Sequence, residues 1–303
     1  MGEGIALYEI LTGFSCNCNC KFCSLDFEKR AFNKTSKEIT ADIIKAKGLG
    51  VEILGFTGGE PTIRKDIIGL VKFAKKSGFR TVRMQTNGMM LANKKFAEKI
   101  VGAGANYFKV SIHAHRADIQ DSLTQAKGSF EKAVKGIKNI KALGRTVEAN
   151  FVINRKNYVF LPQTVAFLMG LGVSQFVIIF PSYLGNAKKF SGEIGVRLSE
   201  AAPYVKEALD IIESYGLDKG VVVSIPPCFL PGYEKNALAG AGSFRTIVSG
   251  PNFEANLDSK IKSEKTKCGK CRHCLYRQEC DGIRRDYAAL FGFKEIKPVK
   301  GKK

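Results

Sequence analysis

Residues 5–23 read Ile-Ala-Leu-Tyr-Glu-Ile-Leu-Thr-Gly-Phe-Ser-Cys-Asn-Cys-Asn-Cys-Lys-Phe-Cys. The first eight are short, β-prone and mostly apolar, which predicts a strand over 5–12. The strand empties into a loop with cysteines at 16, 18, 20 and 23. In open and barrel α/β folds the loop at the carboxyl end of a strand carries the chemistry. Taking Cys16, Cys20 and Cys23 gives C-x3-C-x2-C. An iron–sulfur cubane is usually held by four thiolates, so three local ligands leave one iron free to chelate a cofactor. With Cys18 included, the same loop also admits a closed four-cysteine cluster or a zinc site, the open cluster being the favoured reading. Spacing alone does not choose between these.

Outward from this loop the chain alternates. Strands are expected at 5–12, 52–57, 81–86, 107–113, 146–153 and 175–180, with helices at 36–49, 65–77, 93–101, 130–143, 161–169 and 199–215. Gly48, Gly78, Gly102, Gly144, Gly170 and Gly216 stand where helix caps are expected. Six β–α units predict a parallel sheet with helices outside. The strands are apolar almost throughout, which predicts burial on both faces. A closed eight-unit barrel takes roughly 250 residues, so the expected fold is α/β, a partial (β/α)6 barrel. Residues 1–220 form the expected core domain. Residues 221–303 form a small cysteine-rich extension whose sparse apolar pattern predicts a metal staple. Residues 297–303 read as a basic, frayed end.

The 303 residues carry 48 Lys and Arg against 28 Asp and Glu, a net charge of +20. That balance suits an anionic substrate or nucleic acid, and equally a well-solvated surface. Nine cysteines, an odd count with no signal-peptide pattern, argue against a disulfide framework and predict a reducing cytoplasmic setting. No apolar stretch reaches the roughly 18–20 residues of a membrane span.

Four further segments complete a pattern. Thr57-Gly-Gly-Glu-Pro-Thr62 follows the second strand, Gln85-Thr-Asn-Gly88 the third and Val110-Ser-Ile-His113 closes the fourth, while Asn150-Phe-Val-Ile-Asn154 lies on the fifth. Each alone is a turn or strand end. In this order, with Cys16, Cys20 and Cys23 and the aromatic Phe22 before the last cysteine, the chain resembles the radical SAM superfamily over about residues 5–216. The resemblance implies a [4Fe-4S] cluster on Cys16, Cys20 and Cys23, the three catalytic residues, with S-adenosylmethionine on its open iron. Reductive cleavage then yields a 5′-deoxyadenosyl radical that abstracts hydrogen from a substrate. It also implies cofactor contacts from Phe22, Gly58, Gly59, Glu60, Pro61, Thr86, Asn87, Ser111 and Asn150. The glycines would expose N–H groups to the ligand, and Glu60 would pair with its ammonium.

A second cysteine group follows: Cys228 in Pro-Pro-Cys, then Cys268, Cys271, Cys274 and Cys280 before Asp281 and Gly282. Cys271, Cys274, Cys280 and Gly282 are similar to the C-x2-C-x5-C-x-G element of SPASM and twitch extensions. That likeness implies one auxiliary [4Fe-4S] cluster, with Cys228 as a distant fourth ligand and Cys268 as the alternative. A structural zinc site on Cys268, Cys271, Cys274 and Cys280 is the competing assignment. Residues 260–303 hold 14 Lys and Arg against 5 Asp and Glu. They are expected to form a rim for an anionic substrate or a dock for an acidic electron donor such as flavodoxin or ferredoxin.

Peptide or protein maturation is the favoured activity. The alternatives are a nucleotide- or tRNA-modifying radical SAM enzyme, or a non-catalytic iron–sulfur or zinc protein that binds nucleic acid. Relatives in molybdopterin synthesis end in a Gly-Arg-Gly-type tail, whereas this sequence ends Val-Lys-Gly-Lys-Lys.

Overall fold

Alternating apolar strands and amphipathic helices leave each strand one face to bury against helices, and the chain solves this with a single twisted sheet. The computed structural model describes residues 5–25, 27–217, 220–239 and 245–300. The first half runs β1 (Leu7–Leu11), α1 (Ser36–Gly48), β2 (Ile53–Thr57), α2 (Ile67–Lys76), β3 (Thr81–Thr86), α3 (Lys94–Ala103), β4 (Tyr107–Ser111), α4 (Ala117–Thr124), α5 (Ser129–Ala142) and β5 (Thr146–Val152). Then come α6 (Leu161–Gly170), β6 (Gln175–Ile179), α7 (Gly185–Lys189), α8 (Ser191–Ile194), α9 (Leu198–Ser214), β7 (Gly220–Val223), α10 (Glu234–Ala239), β8 (Thr246–Gly250) and β9 (Phe253–Asn256). The end of the chain forms α11 (Leu257–Ser263), the two-residue strands β10 (Lys265–Thr266) and β11 (Ile283–Arg284), and α12 (Arg285–Phe291). Local chemistry sets several boundaries. Thr35 and Glu38 make a reciprocal capping box ahead of α1, and the Asn93 side chain caps α3.

The sheet order is β7-β6-β5-β4-β3-β2-β1-β8-β9, parallel except for β9. Its two edges do not meet, so the barrel is partial, as expected. It has nine strands instead of six. β7 extends one edge and the β8–β9 hairpin covers β1 at the other. The division expected at residue 220 falls on the first residue of β7, so chain from both sides of it builds the sheet. β7 and β9 are only four residues long, and β8 ends in Ser-Gly, which leaves little periodicity to read. Of the expected capping glycines, Gly78, Gly144 and Gly216 adopt positive φ, whereas Gly50, Gly104 and Gly172 take that role in place of Gly48, Gly102 and Gly170.

The strands are not apolar on both faces. Tyr8, Ile10, Leu54, Phe56, Val82, Met84, Phe108, Val110, Phe176 and Ile178 are buried in the hydrophobic core, and many of the alternate positions are polar. Across the interior, Glu9 on β1 pairs with Arg83 on β3. Gly55 stands between them on β2, and a Cβ there would lie 3.3 Å from the Glu9 carboxylate. Lys109 on β4 meets Glu148 on β5 at 3.0 Å, and the Tyr107 hydroxyl donates to Glu148. This belt joins cations to carboxylates in equal number. One layer further along the strands come Gln85, Ser111 and Asn150, two residues past Arg83, Lys109 and Glu148. Layered side chains of this kind fill barrel interiors.

The C-terminal extension packs on the body through polar and aromatic contacts. Arg284 donates to Ser182 Oγ (2.6 Å) in the loop after β6, and binds Glu264 and Asp286. Tyr287 packs edge-on against Phe180, and Ile283, Tyr287 and Ile296 join the main core. The end expected to be frayed is held at least to residue 299, where Val299 O accepts from Leu275 N–H at 2.8 Å; residues 301–303 lie outside the described set. Among the described residues, no helix is long and apolar enough to cross a membrane.

Glu9→Gln leaves the buried Arg83 guanidinium without its counter-charge. We expect a loss of about 3 kcal/mol of folding stability, read from urea unfolding, because breaking one side of a buried pair strands the other.

Candidate active site

The cysteine loop leaves the carboxyl end of β1 and is held from four sides. On the first side, Gly59 N–H donates to Gly13 O and Glu60 N–H to Ser15 O, both at 2.8 Å. The two chains run so close that a Cβ on Gly59 would lie 2.1 Å from Ser15 O, and one on Gly58 (φ +123°) 2.3 Å from Gly13 O. No real Cβ tolerates such contacts, so this Gly-Gly pair is required by the loop itself. On the second side, the carbonyls of Thr124 and Leu123 at the end of α4 accept from Asn19 and Lys21 N–H, each at 2.9 Å. On the third, the Arg30 guanidinium donates to Cys16 O (3.2 Å) and Cys18 O (2.5 Å). On the fourth, Ala187 N–H donates to Cys23 O (3.0 Å) and the Asn186 amide to Cys20 O (3.3 Å).

The result is a cavity of about 220 Å³ at the carboxyl ends of the strands, lined by Cys16, Cys18, Cys20, Cys23 and Phe22 with Gly58, Gly59, Thr86, Asn87, Ser111 and Asn150. Cys16, Cys20 and Cys23 are part-exposed, whereas Cys18 is buried. The Cys18 thiol turns toward Met89 Sδ (3.5 Å) and the Asn87 amide (3.4 Å). A hydrogen bond with Cys18, then burial, hold the Cys16 thiol well above the ordinary thiol range. The Asn150 carboxamide oxygen is buried without a partner among the described residues, an acceptor waiting for a donor.

Two residues sit differently from their expected roles. Glu60 is 2% exposed and turns away from the cavity. Its Oε1 accepts from Thr62 N–H (3.0 Å), Thr62 Oγ1 (2.5 Å) and Thr86 Oγ1 (2.7 Å), and its Oε2 from Asn87 N–H (2.6 Å). Burial raises its pKa against these four donors. It therefore clips the Thr86-Asn87 turn to the Gly-Gly-Glu-Pro turn, and an ammonium would find its oxygens already engaged. Pro61 is also buried, opening a short helical turn capped by Glu60. Of the two glycine N–H groups expected to face a ligand, that of Gly59 serves the cysteine loop instead. The sequence reading missed Arg30, which has no motif, and did not single out Asn186, although Pro181–Ala187 resembles the family's loop after the sixth strand; nor did it place His113 in the site. His113 lines the cavity, packs edge-on against Phe22 at 4.3 Å, and accepts from Val152 N–H at Nδ1 (3.1 Å).

The second cysteine group converges too. Cys228, in the turn after β7, meets Cys271, Cys274 and Cys280 around a small cavity walled by Pro226, Pro227, Ile283, Ile296 and Pro298. Burial, then the neighbouring thiols, push Cys228 up to about 12. Cys268 lies outside this lining with its Sγ 3.6 Å from that of Cys271. Four convergent thiols in an apolar pocket suit a thiophilic metal or cluster, since bare thiolates so close would repel. Because Cys228 follows β7 and the first group follows β1, both lie toward the carboxyl edge of the sheet.

The superfamily model described as "Radical SAM superfamily" matches residues 10–161. The chain belongs to the radical SAM superfamily. It is 34% identical over 249 residues to the probable GTP 3',8-cyclase of Saccharolobus islandicus (strain M.14.25 / Kamchatka #1), covering 77% of this chain and 79% of that protein. It is 28% identical over 289 residues to the probable GTP 3',8-cyclase of Sulfurisphaera tokodaii, covering 92% and 83%. Among solved structures, Streptococcus suis SuiB bound to S-adenosylmethionine superposes with a TM-score of 0.71 at 17% identity, covering 99% of this chain and 77% of that one. Native anSMEcpe with bound AdoMet and Cp18Cys peptide gives 0.65 at 14%, covering 98% and 93%. This radical SAM protein is thus a SAM-dependent iron–sulfur enzyme with the family's open α/β fold.

Two expected outcomes follow from the geometry. Gly59→Ala keeps every cysteine yet pushes the loop off its seat, so iron bound at the first cysteine group after anaerobic reconstitution should fall to a small fraction of wild type. His113 is held neutral by burial, its pKa lowered from 6.5 to about 3. The unfolded chain takes up a proton that the folded one refuses, so this stability is present above pH 6.5 and lost as the pH falls toward 3. Between pH 7 and 5 the wild type should lose about 2 kcal/mol more stability than His113→Asn, measured by urea unfolding at both pH values.

Proposed function

We propose that this enzyme acts on a nucleotide-derived small molecule, using a cluster on Cys16, Cys20 and Cys23 and an auxiliary cluster on Cys228, Cys271, Cys274 and Cys280. The observation that carries the substrate class is the 34% identity, across 77% of the chain, to proteins named as probable GTP 3',8-cyclases. Peptide maturation, the activity favoured on motifs alone, has only likeness of fold at 14–17% identity behind it, and fold does not name a substrate.

When bound, the cluster and S-adenosylmethionine supply reductive cleavage of the sulfonium and hydrogen-atom abstraction. The chain's own residues do the rest. The clamped loop seats Cys16, Cys20 and Cys23 at the cavity, with the buried Cys18 thiol among Cys16, Cys20, Asn87 and Met89. Phe14, Phe22, Val152 and Ile179 give the cavity its apolar walls. Ser111 and the orphan Asn150 oxygen offer hydrogen bonds to a nucleoside or amino acid group. The SPASM/twitch-like extension sets its own cysteine cavity toward the same edge of the sheet.

Charge limits how a nucleotide enters. Among the described cavity-lining residues the one cation is Arg30, and its guanidinium is turned to the Cys16 and Cys18 carbonyls. The belt below is neutralised internally. The base or sugar of a nucleotide therefore enters the cavity and its phosphates stay outside. In the test, reconstituted enzyme, dithionite and S-adenosylmethionine are incubated with GTP, with other nucleoside triphosphates and with none. GTP or another nucleotide should raise 5′-deoxyadenosine formation and be consumed with it. Cleavage that no nucleotide accelerates would contradict the substrate class.

A further inference from the structure

We infer that the exposed basic knuckle over the second cysteine group is the docking surface for an acidic electron-carrier protein. The inference rests on that group holding an iron–sulfur cluster, as proposed above. Lys270, Arg272 and His273 are exposed and share a groove with Pro298 and Lys300. They lie between Cys271 and Cys274 or directly beside them in sequence, so the cations sit on the shell of the cysteine cavity.

Two observations separate this surface from an ordinary solvated face. Three of the segment's five carboxylates are engaged by the body of the protein, Glu264 and Asp286 with Arg284, and Glu295 with the Tyr287 hydroxyl and Ser199 N–H, which leaves Asp281 and the exposed Glu279. Lys270, Arg272 and Lys300 have no carboxylate partner among the described residues. In the same knuckle Leu275 stands 56% exposed, fastened by its N–H to Val299 O beside Lys300. An exposed large apolar side chain on the same short segment as cations that no carboxylate pairs is the composition of a protein-binding patch, with an apolar anchor and a charged rim that steers encounter. A phosphate backbone would use the cations and leave the leucine idle.

The occupant that fits is a small acidic flavoprotein or ferredoxin. On transfer the donor is oxidised by one electron and the enzyme's iron–sulfur site is reduced by one, with no atom exchanged.

The test uses the full reconstituted chain, reduced flavodoxin as the probe, and two charge-reversed variants. K270E/R272E/K300E alters the knuckle. K132E/K135E/K138E makes the same charge change on exposed positions of α5. The knuckle variant should bind flavodoxin at least about tenfold more weakly, with wild-type affinity falling as salt rises. The α5 variant should bind as wild type does, and dithionite-driven 5′-deoxyadenosine formation should be unchanged in both. Equal weakening by the two variants would overturn the inference. So would loss of affinity for an RNA oligonucleotide with flavodoxin binding intact, which would make the knuckle a nucleic-acid surface. Absent dithionite-driven cleavage in wild type would instead count against the functional reading, and the binding comparison would stand apart from it.

Discussion

The structure depends on one close approach of backbone to backbone. Gly58 and Gly59, at the end of β2, lie against Gly13 and Ser15 at the end of β1, and the two N–H···O bonds there hold the cysteine loop to the sheet. Everything else at the site builds on this seam. Glu60, one residue on, carries the constraint to the third strand by binding Thr86 and the Asn87 N–H. Asn87 then meets Asn17 and Cys18 in the loop. A closed circuit runs from β1 to β2 to β3 and back, buried at Glu60 and Thr86 and reaching the surface at Asn87 and Asn17. Such a circuit tolerates little movement, because loosening one member leaves others buried without partners.

The barrel interior adds a second constraint. The belt of Glu9, Arg83, Lys109 and Glu148 closes the floor of the cavity with charges already paired. A floor of this kind positions Gln85, Ser111 and Asn150 one layer above without presenting net charge to a ligand. The positive field of the protein is displaced to its surface, most densely around the second cysteine group. The chemistry inside is therefore kept apart from the attraction of anionic partners outside.

Much of this was legible in the sequence, and the reasons are physical. The six inner strands and their helices follow from apolar periodicity, and their observed ends lie within about two residues of expectation. The cysteine spacing and the Thr-Gly-Gly-Glu-Pro and Thr-Asn-Gly turns marked the site because each lies directly after a strand. Cys228 was placed with Cys271, Cys274 and Cys280 across some forty residues of chain, and the fold does bring these four together. What stayed hidden acts through three dimensions. Arg30 reaches the loop from a segment with no pattern of its own, and Asn186 from a loop whose contacts the sequence does not name. The β8–β9 hairpin is too short to announce itself, and Glu60 has a local partner, Thr86, that lies 26 residues away in sequence. Period-two alternation between a helix-facing apolar set and an interior polar set was masked by apolar residues such as Leu7, Ile53 and Val177 on the interior side.

The central claim is that two separate thiol sets hold two separate clusters. Iron counting and Mössbauer spectroscopy on two triple variants test it most directly. If the claim is right, Cys16→Ala/Cys20→Ala/Cys23→Ala retains about four irons as one cubane, and Cys228→Ala/Cys271→Ala/Cys274→Ala retains about four of the other kind. Zinc in place of iron at the second group, or loss of all iron from either variant with its fold intact, would contradict it.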